Sequence, residues 1–145
     1  MKQGRARDAE AALRGALGAD PRLRRAANNL ALLLHRSNRS SKALDLASQL
    51  TRTHPYYPLG LNTLGAILFD LGQLDDARTA LQASLELEPR GANALCNLGS
   101  VAYRQGRLDE ARRRWLLCQQ SQPDHPVAAE GLGHIDARAV EGREP

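Results

Sequence analysis

Proline recurs every 34 residues in this chain, at Pro21, Pro55, Pro89 and Pro123. Other landmarks keep the same step. Gly65 is followed by Gly99, Gly72 by Gly106, and Ala9 stands one place ahead of Ala43, Ala77 and Ala111 in their series. Gly4 and Asn38 occupy the earlier places of the Gly72 series. A fixed period of this length argues against one folded-over core. It calls for a stack of like units, each covering the apolar face of the next. Such a stack seldom does chemistry; it presents a long surface to a partner.

The unit can be read from residues 58–91. Leu61, Leu64, Ile67, Leu68 and Leu71 recur at helical spacing, which predicts an amphipathic helix over 58–71. Gly72 can take the left-handed conformation that ends a helix. Leu74, Ala77, Leu81 and Leu85 predict a second helix over 74–88, stopped by Pro89. The pairs 92–105 with 108–121 and 24–36 with 40–53 repeat this plan, with Asn38 at the earlier turn. Residues 5–18 match only a second helix, and 126–140 only a first. The expected fold is therefore all-α, a solenoid of about eight antiparallel helices. It forms a single domain over 1–145: a half-repeat 5–21, repeats 24–57, 58–91 and 92–125, a capping helix 126–140 and a frayed tail 141–145. Leu30, Leu64, Leu98 and Leu132 should pack on the alanines of the second helices. Gly65 and Gly99 should let paired helices approach closely. Trp115 is expected in the core, where its counterparts Leu13, Ala47 and Leu81 are smaller.

Composition narrows the function. Hydrophobic residues make up 42% of the chain and aromatics only 3%, so Ala and Leu must build the core. The net charge of +4 comes almost wholly from arginine, since Lys2 and Lys42 are the only lysines. Acidic residues are interspersed, so nucleic acid is not the expected partner. The run Arg112–Arg114 is expected on a solvated convex surface, and binding of an anionic partner there is the weakest of the readings. No segment has the length and apolarity of a membrane span or a signal peptide, which makes a cytoplasmic location the default. Cys96 and Cys118 are expected as free thiols in a reducing compartment, one half-exposed and one buried, rather than as a disulfide or metal pair. His35, His54, His125 and His134 show no metal-ligand spacing. No nucleophile, phosphate loop or cofactor motif is present, so neither cofactor nor metal is expected and the chain is not expected to be an enzyme.

Two stretches carry a family resemblance: LNTLGAILFDLGQLDDARTALQASLELEP and LCNLGSVAYRQGRLDEARRRWLLCQQSQP. Their Leu64-Gly65, Gly72, Ala77, Leu81 and Pro89, and then Leu98-Gly99, Gly106, Ala111, Trp115 and Pro123, resemble tetratricopeptide repeats. The resemblance implies a right-handed superhelix whose first helices line a concave groove for peptides or partner proteins, without intrinsic catalysis.

Carried over by position, that groove would hold Arg25, Asn28, Asn29, Leu32, His35 and Arg36 from the first full repeat. The second would add Leu59, Asn62, Thr63, Ala66, Phe69 and Asp70. The third would add Asn93, Cys96, Asn97, Ser100, Tyr103 and Arg104, and the last helix Glu130, His134 and Arg138. Amides offer both donors and acceptors, so the asparagines could pair with the backbone of an extended peptide. This resembles the asparagine ladder of O-linked N-acetylglucosamine transferase repeats, which Thr63 interrupts; a merely polar helix face is the alternative. The row His35, Phe69 and Tyr103, with Arg36 and Arg104, could hold apolar or acidic side chains, or could be packing between repeats. The lysines of a chaperone-tail clamp are replaced by Asn28, Asn93 and Cys96. The leading expectation is a protein-binding scaffold. A second is that the chain is a fragment or accessory arm of a larger protein such as a glycosyltransferase, because Leu13 and Leu17 lack a covering helix. That same edge could support self-association.

Overall fold

The computed structural model describes residues 23–142 and, ahead of them, Gly4, Asp8, Ala11, Ala12, Gly15 and Asp20. Ala9, Leu13, Leu17 and Pro21 of the expected half-repeat lie outside the described residues, as do residues 143–145. Within 23–142 there are seven helices: α1 (Leu23–Arg36), α2 (Ser40–Thr53), α3 (Pro58–Asp70), α4 (Leu74–Leu87), α5 (Ala92–Arg104), α6 (Leu108–Ser121) and α7 (Pro126–Glu141). The eighth expected helix is the one outside the described residues. None of the seven is long and apolar enough to cross a membrane.

Each helix pair is closed by the same turn chemistry. Asn38, Gly72 and Gly106 have φ of 59°, 79° and 78°. That left-handed residue lets the chain reverse while capping its own carbonyls. Asn38 N donates to His35 O at 3.1 Å and Arg39 N to Leu34 O at 2.9 Å. Gly72 and Gln73 repeat this onto Phe69 and Leu68, and Gly106 and Arg107 onto Tyr103 and Ala102. Proline opens α3 and α7, where its missing N–H costs nothing.

Packing follows the periodic residues. Ala43, Ala77 and Ala111 are fully buried, as is Leu98, while Leu30, Leu64 and Leu132 are half-buried. A Cβ added at Gly65 would stand 2.5 Å from Leu81 Cγ, and one at Gly99 would stand 2.6 Å from Trp115 Cδ1. These are the close approaches expected of the two glycines. Trp115 is 3% exposed, and its indole N–H donates to Cys96 O at 3.1 Å. A Cβ at Gly131 would also meet the Trp115 ring, at 2.5 Å, so the indole fills a slot between two glycines. Gly133, two residues on, faces open space.

Neighbouring helices pack in sequence, and each first helix also touches the next first helix: α1 with α3, α3 with α5, and α5 with α7. No comparable contact joins α2 to α4 or α4 to α6. The first helices therefore lie on the inner, tighter side of the right-handed superhelix.

Candidate functional site

A first helix in mid-array is enclosed by its own partner helix, the preceding second helix and both neighbouring first helices. It buries a wider arc than a surface helix with one apolar stripe. Several residues expected on the groove sit below it. Asn28 is 1% exposed, with neither amide atom hydrogen-bonded, and Thr63 is 2% exposed. Neither offers a free side chain to a ligand. Cys96 is fully buried.

The expectation of free thiols is overturned, because Cys96 and Cys118 are joined as a disulfide with their Cα atoms 5.5 Å apart. The reason is the geometry of a helical hairpin. Cys96 lies ten residues before Gly106 and Cys118 twelve after it, so the turn brings them face to face across the pair.

The remaining candidates form ladders along the concave side, each joining a residue to one 35 positions on. Asn97 Nδ2 donates to Asn62 Oδ1 at 3.0 Å. His35 Nε2 lies 2.6 Å from Asp70 Oδ2. The Arg104 guanidinium sits 4.9 Å above the Phe69 ring, and that of Arg138 sits 5.8 Å above Tyr103. The expected row of His35, Phe69 and Tyr103 is thus stitched to the next first helix at every step. Asn29 and Arg36 are exposed at the first-repeat end. Asn93 is exposed too, and its Oδ1 lies 3.0 Å from His125 Nε2.

One cleft opens on this face between α5 and α7. It measures 310 Å³ and is walled by Phe69, Ser100, Tyr103, Arg104, Val127, Glu130 and His134, with Trp115 and Gly131 at its floor. Gly131 and Val127 were not singled out by sequence reasoning. The signal that could have found them is that a tryptophan in one repeat demands a small residue in the next.

Four arginines on and beside α4 and α6 have carboxylate partners. Arg78 Nη2 donates to Glu110 Oε1 at 2.6 Å, and Arg107 and Arg114 approach the same carboxylate at 3.8 and 3.9 Å. Burial pushes the Glu110 carboxyl up, but the bond and charge of Arg78, with Arg114 and Arg107, outweigh it and hold the carboxyl below its ordinary value. Arg112 Nη2 donates to Asp136 Oδ1 at 2.9 Å. Two of the three arginines in the run thus have carboxylate partners, which weakens the case for an anionic partner there.

The fold has many solved counterparts. The first TPR of Spaghetti (RPAP3), bound to the HSP90 peptide SRMEEVD, matches with a TM-score of 0.76 at 16% identity, over 83% of this chain and 96% of that one. The type III secretion chaperone SycD of Yersinia enterocolitica, in complex with a peptide of the translocator YopD, matches at 0.70 and 18%, over 79% and 93%. YrrB, a TPR protein with an unusual peptide-binding site, matches at 0.68 and 21%, over 74% and 55%. Likeness at these identities speaks for the fold. No curated protein sequence matches the chain. A family model for the tetratricopeptide repeat covers residues 1–58 and 62–132, nearly the whole length, and the chain belongs to that family.

Proposed function

We propose that this chain is a non-enzymatic interaction scaffold whose concave face binds an extended peptide or a segment of a partner protein. The observation that carries the reading is the 310 Å³ cleft between α5 and α7, apolar at its floor and rimmed by Arg104, Glu130 and His134. It suits one apolar or aromatic side chain next to a charged one. The amide pair lies on the same face. Asn97 spends a donor on Asn62 Oδ1, which leaves Asn62 Nδ2 and Asn97 Oδ1 without a hydrogen-bond partner among the described residues. One donor and one acceptor side by side complement the C=O and N–H of a peptide backbone. The peptides held by the Spaghetti and SycD domains support this reading.

Selection from a phage-displayed peptide library, followed by calorimetry on the selected peptides, tests it. Ser100→Arg, which would occupy the cleft, and the pair Asn62→Ala with Asn97→Ala should each weaken binding about tenfold or more. The helical circular dichroism should be unchanged. Selected peptides that bind all variants as tightly as the parent would refute the reading.

A further inference from the structure

The seam of the third repeat holds a histidine that the disulfide does not use. Cys96 Sγ, Cys118 Sγ and a ring nitrogen of His125 all lie within 4.8 Å of one another, and all three residues are buried. His125 is 8% exposed, and its Nδ1 is buried with no hydrogen-bond partner. Its Nε2 faces Asn93 Oδ1 at 3.0 Å. An acceptor there keeps the proton on Nε2 and leaves the Nδ1 lone pair free, the arrangement that orients a metal-binding imidazole.

The internal repeat sharpens the point. The three equivalent positions carry Asn28, Leu50 and Tyr57 in the first full repeat and Asn62, Ser84 and Gly91 in the second. Two sulfurs and an imidazole occur together only in the third. A structural disulfide needs no histidine beside it, and helix packing at this seam is achieved elsewhere without one.

We propose that the reduced form of this seam is a metal site in which Cys96 Sγ, Cys118 Sγ and His125 Nδ1 bind one divalent cation of the zinc class. Two thiolates and a neutral imidazole are the donor set of borderline-soft cations. Their two negative charges neutralise a divalent ion, whereas a monovalent one would leave a net charge buried. Tetrahedral coordination at a metal–sulfur distance of about 2.3 Å needs sulfurs about 3.8 Å apart. Cysteines with Cα atoms 5.5 Å apart reach that separation by side-chain rotation once the disulfide is opened. Three protein donors leave a fourth position for water or an outside ligand. The exchange balances with a small-molecule thiol as reductant. The S–S bond and two RSH give two cysteine thiols and one RSSR, and the metal then displaces the two thiol protons. Disulfide and metal are thus mutually exclusive occupants of one seam.

The test is titration of the full chain with Co²⁺ under a phosphine reductant, followed by competition with Zn²⁺. The reduced parent should take up one equivalent with a thiolate-to-cobalt charge-transfer band and tetrahedral d–d bands, and Zn²⁺ should abolish both. Cys118→Ser, which installs the residue of the preceding repeat, should lose the charge-transfer band and stay helical. His125→Ala should weaken binding at least tenfold, and Asn93→Ala by roughly 10–100-fold. The oxidised parent should bind nothing. A folded, reduced parent without the charge-transfer band would overturn the proposal. So would a His125→Ala variant that binds Co²⁺ as the parent does, or a reduced chain that loses its helicity and does not regain it with metal.

Discussion

The repeat at 58–91 and the one at 92–125 share a backbone plan and differ at the seam between their helices. In the earlier one Gly65 meets Leu81, and Ser84 Oγ donates to Pro58 O at 2.9 Å. In the later one Gly99 meets Trp115, and Cys118 replaces the serine and is joined to Cys96. Asp76, exposed on α4, becomes Glu110, which gathers three arginines. A few positions hold the plan: the left-handed turn residue, the buried alanine and the close glycine. Because each unit meets only its neighbours, the other seam positions are free to change. Specialised chemistry can therefore sit in one repeat while the next keeps plain packing.

The largest expected contrast lies in the core. Trp115→Ala should destabilise the chain by about 3–5 kcal/mol, because the slot between Gly99 and Gly131 has no side chain able to collapse into it. Leu81→Ala in the earlier repeat should cost nearer 3 kcal/mol. Denaturant titration of both compares the seams directly, and equal losses would mean the glycine slot adds nothing.

Next in size is the cross-link. In oxidised protein Cys118→Ser should cost roughly 3 kcal/mol for a closure spanning 22 residues. With reductant and a chelator present, most of that difference should vanish, since the variant then resembles the Ser84 seam.

The turns should behave alike in both repeats. Gly72→Ala and Gly106→Ala should each cost about 1–2 kcal/mol from the left-handed backbone. Gly106→Asn should cost less, because Asn38 already holds that conformation at the first turn. A Gly106→Asn variant as unstable as Gly106→Ala would break the equivalence of the turns.

The smallest effect is electrostatic. The folded pKa of Glu110 lies below its unfolded value, so its contribution is complete above an unfolded pKa of about 4.3. It is lost as pH falls through the folded value. Glu110→Gln should cost about 1 kcal/mol or less at neutral pH and progressively less below pH ~4.

The turns and the helix pairs were legible in advance, because each depends on contacts within one unit; the burial of Trp115 was legible from its bulk against smaller counterparts, although its slot is shared with Gly131 of the next unit. The groove was legible only in part. Asn97 and Asn62 stood out as amides, but their pairing joins positions 35 apart, which a 34-residue register does not align. Thr63 looked exposed because a single helix shows one apolar stripe, whereas an enclosed helix such as α3 hides flanking positions as well. The cleft at α5 and α7 depends on Gly131, whose role appears only once Trp115 is seen reaching across from α6.

By itself the sequence determined the all-helical repeat, its period, the places where the chain turns and the family. Those follow from local backbone preference and from spacing along one chain. The tertiary structure alone decided that Cys96, Cys118 and His125 meet at a buried point, and that aromatic and cationic residues stack from repeat to repeat. Such contacts join helices whose relative rotation and offset are set by how side chains of unequal size interlock, and one-dimensional spacing does not encode that.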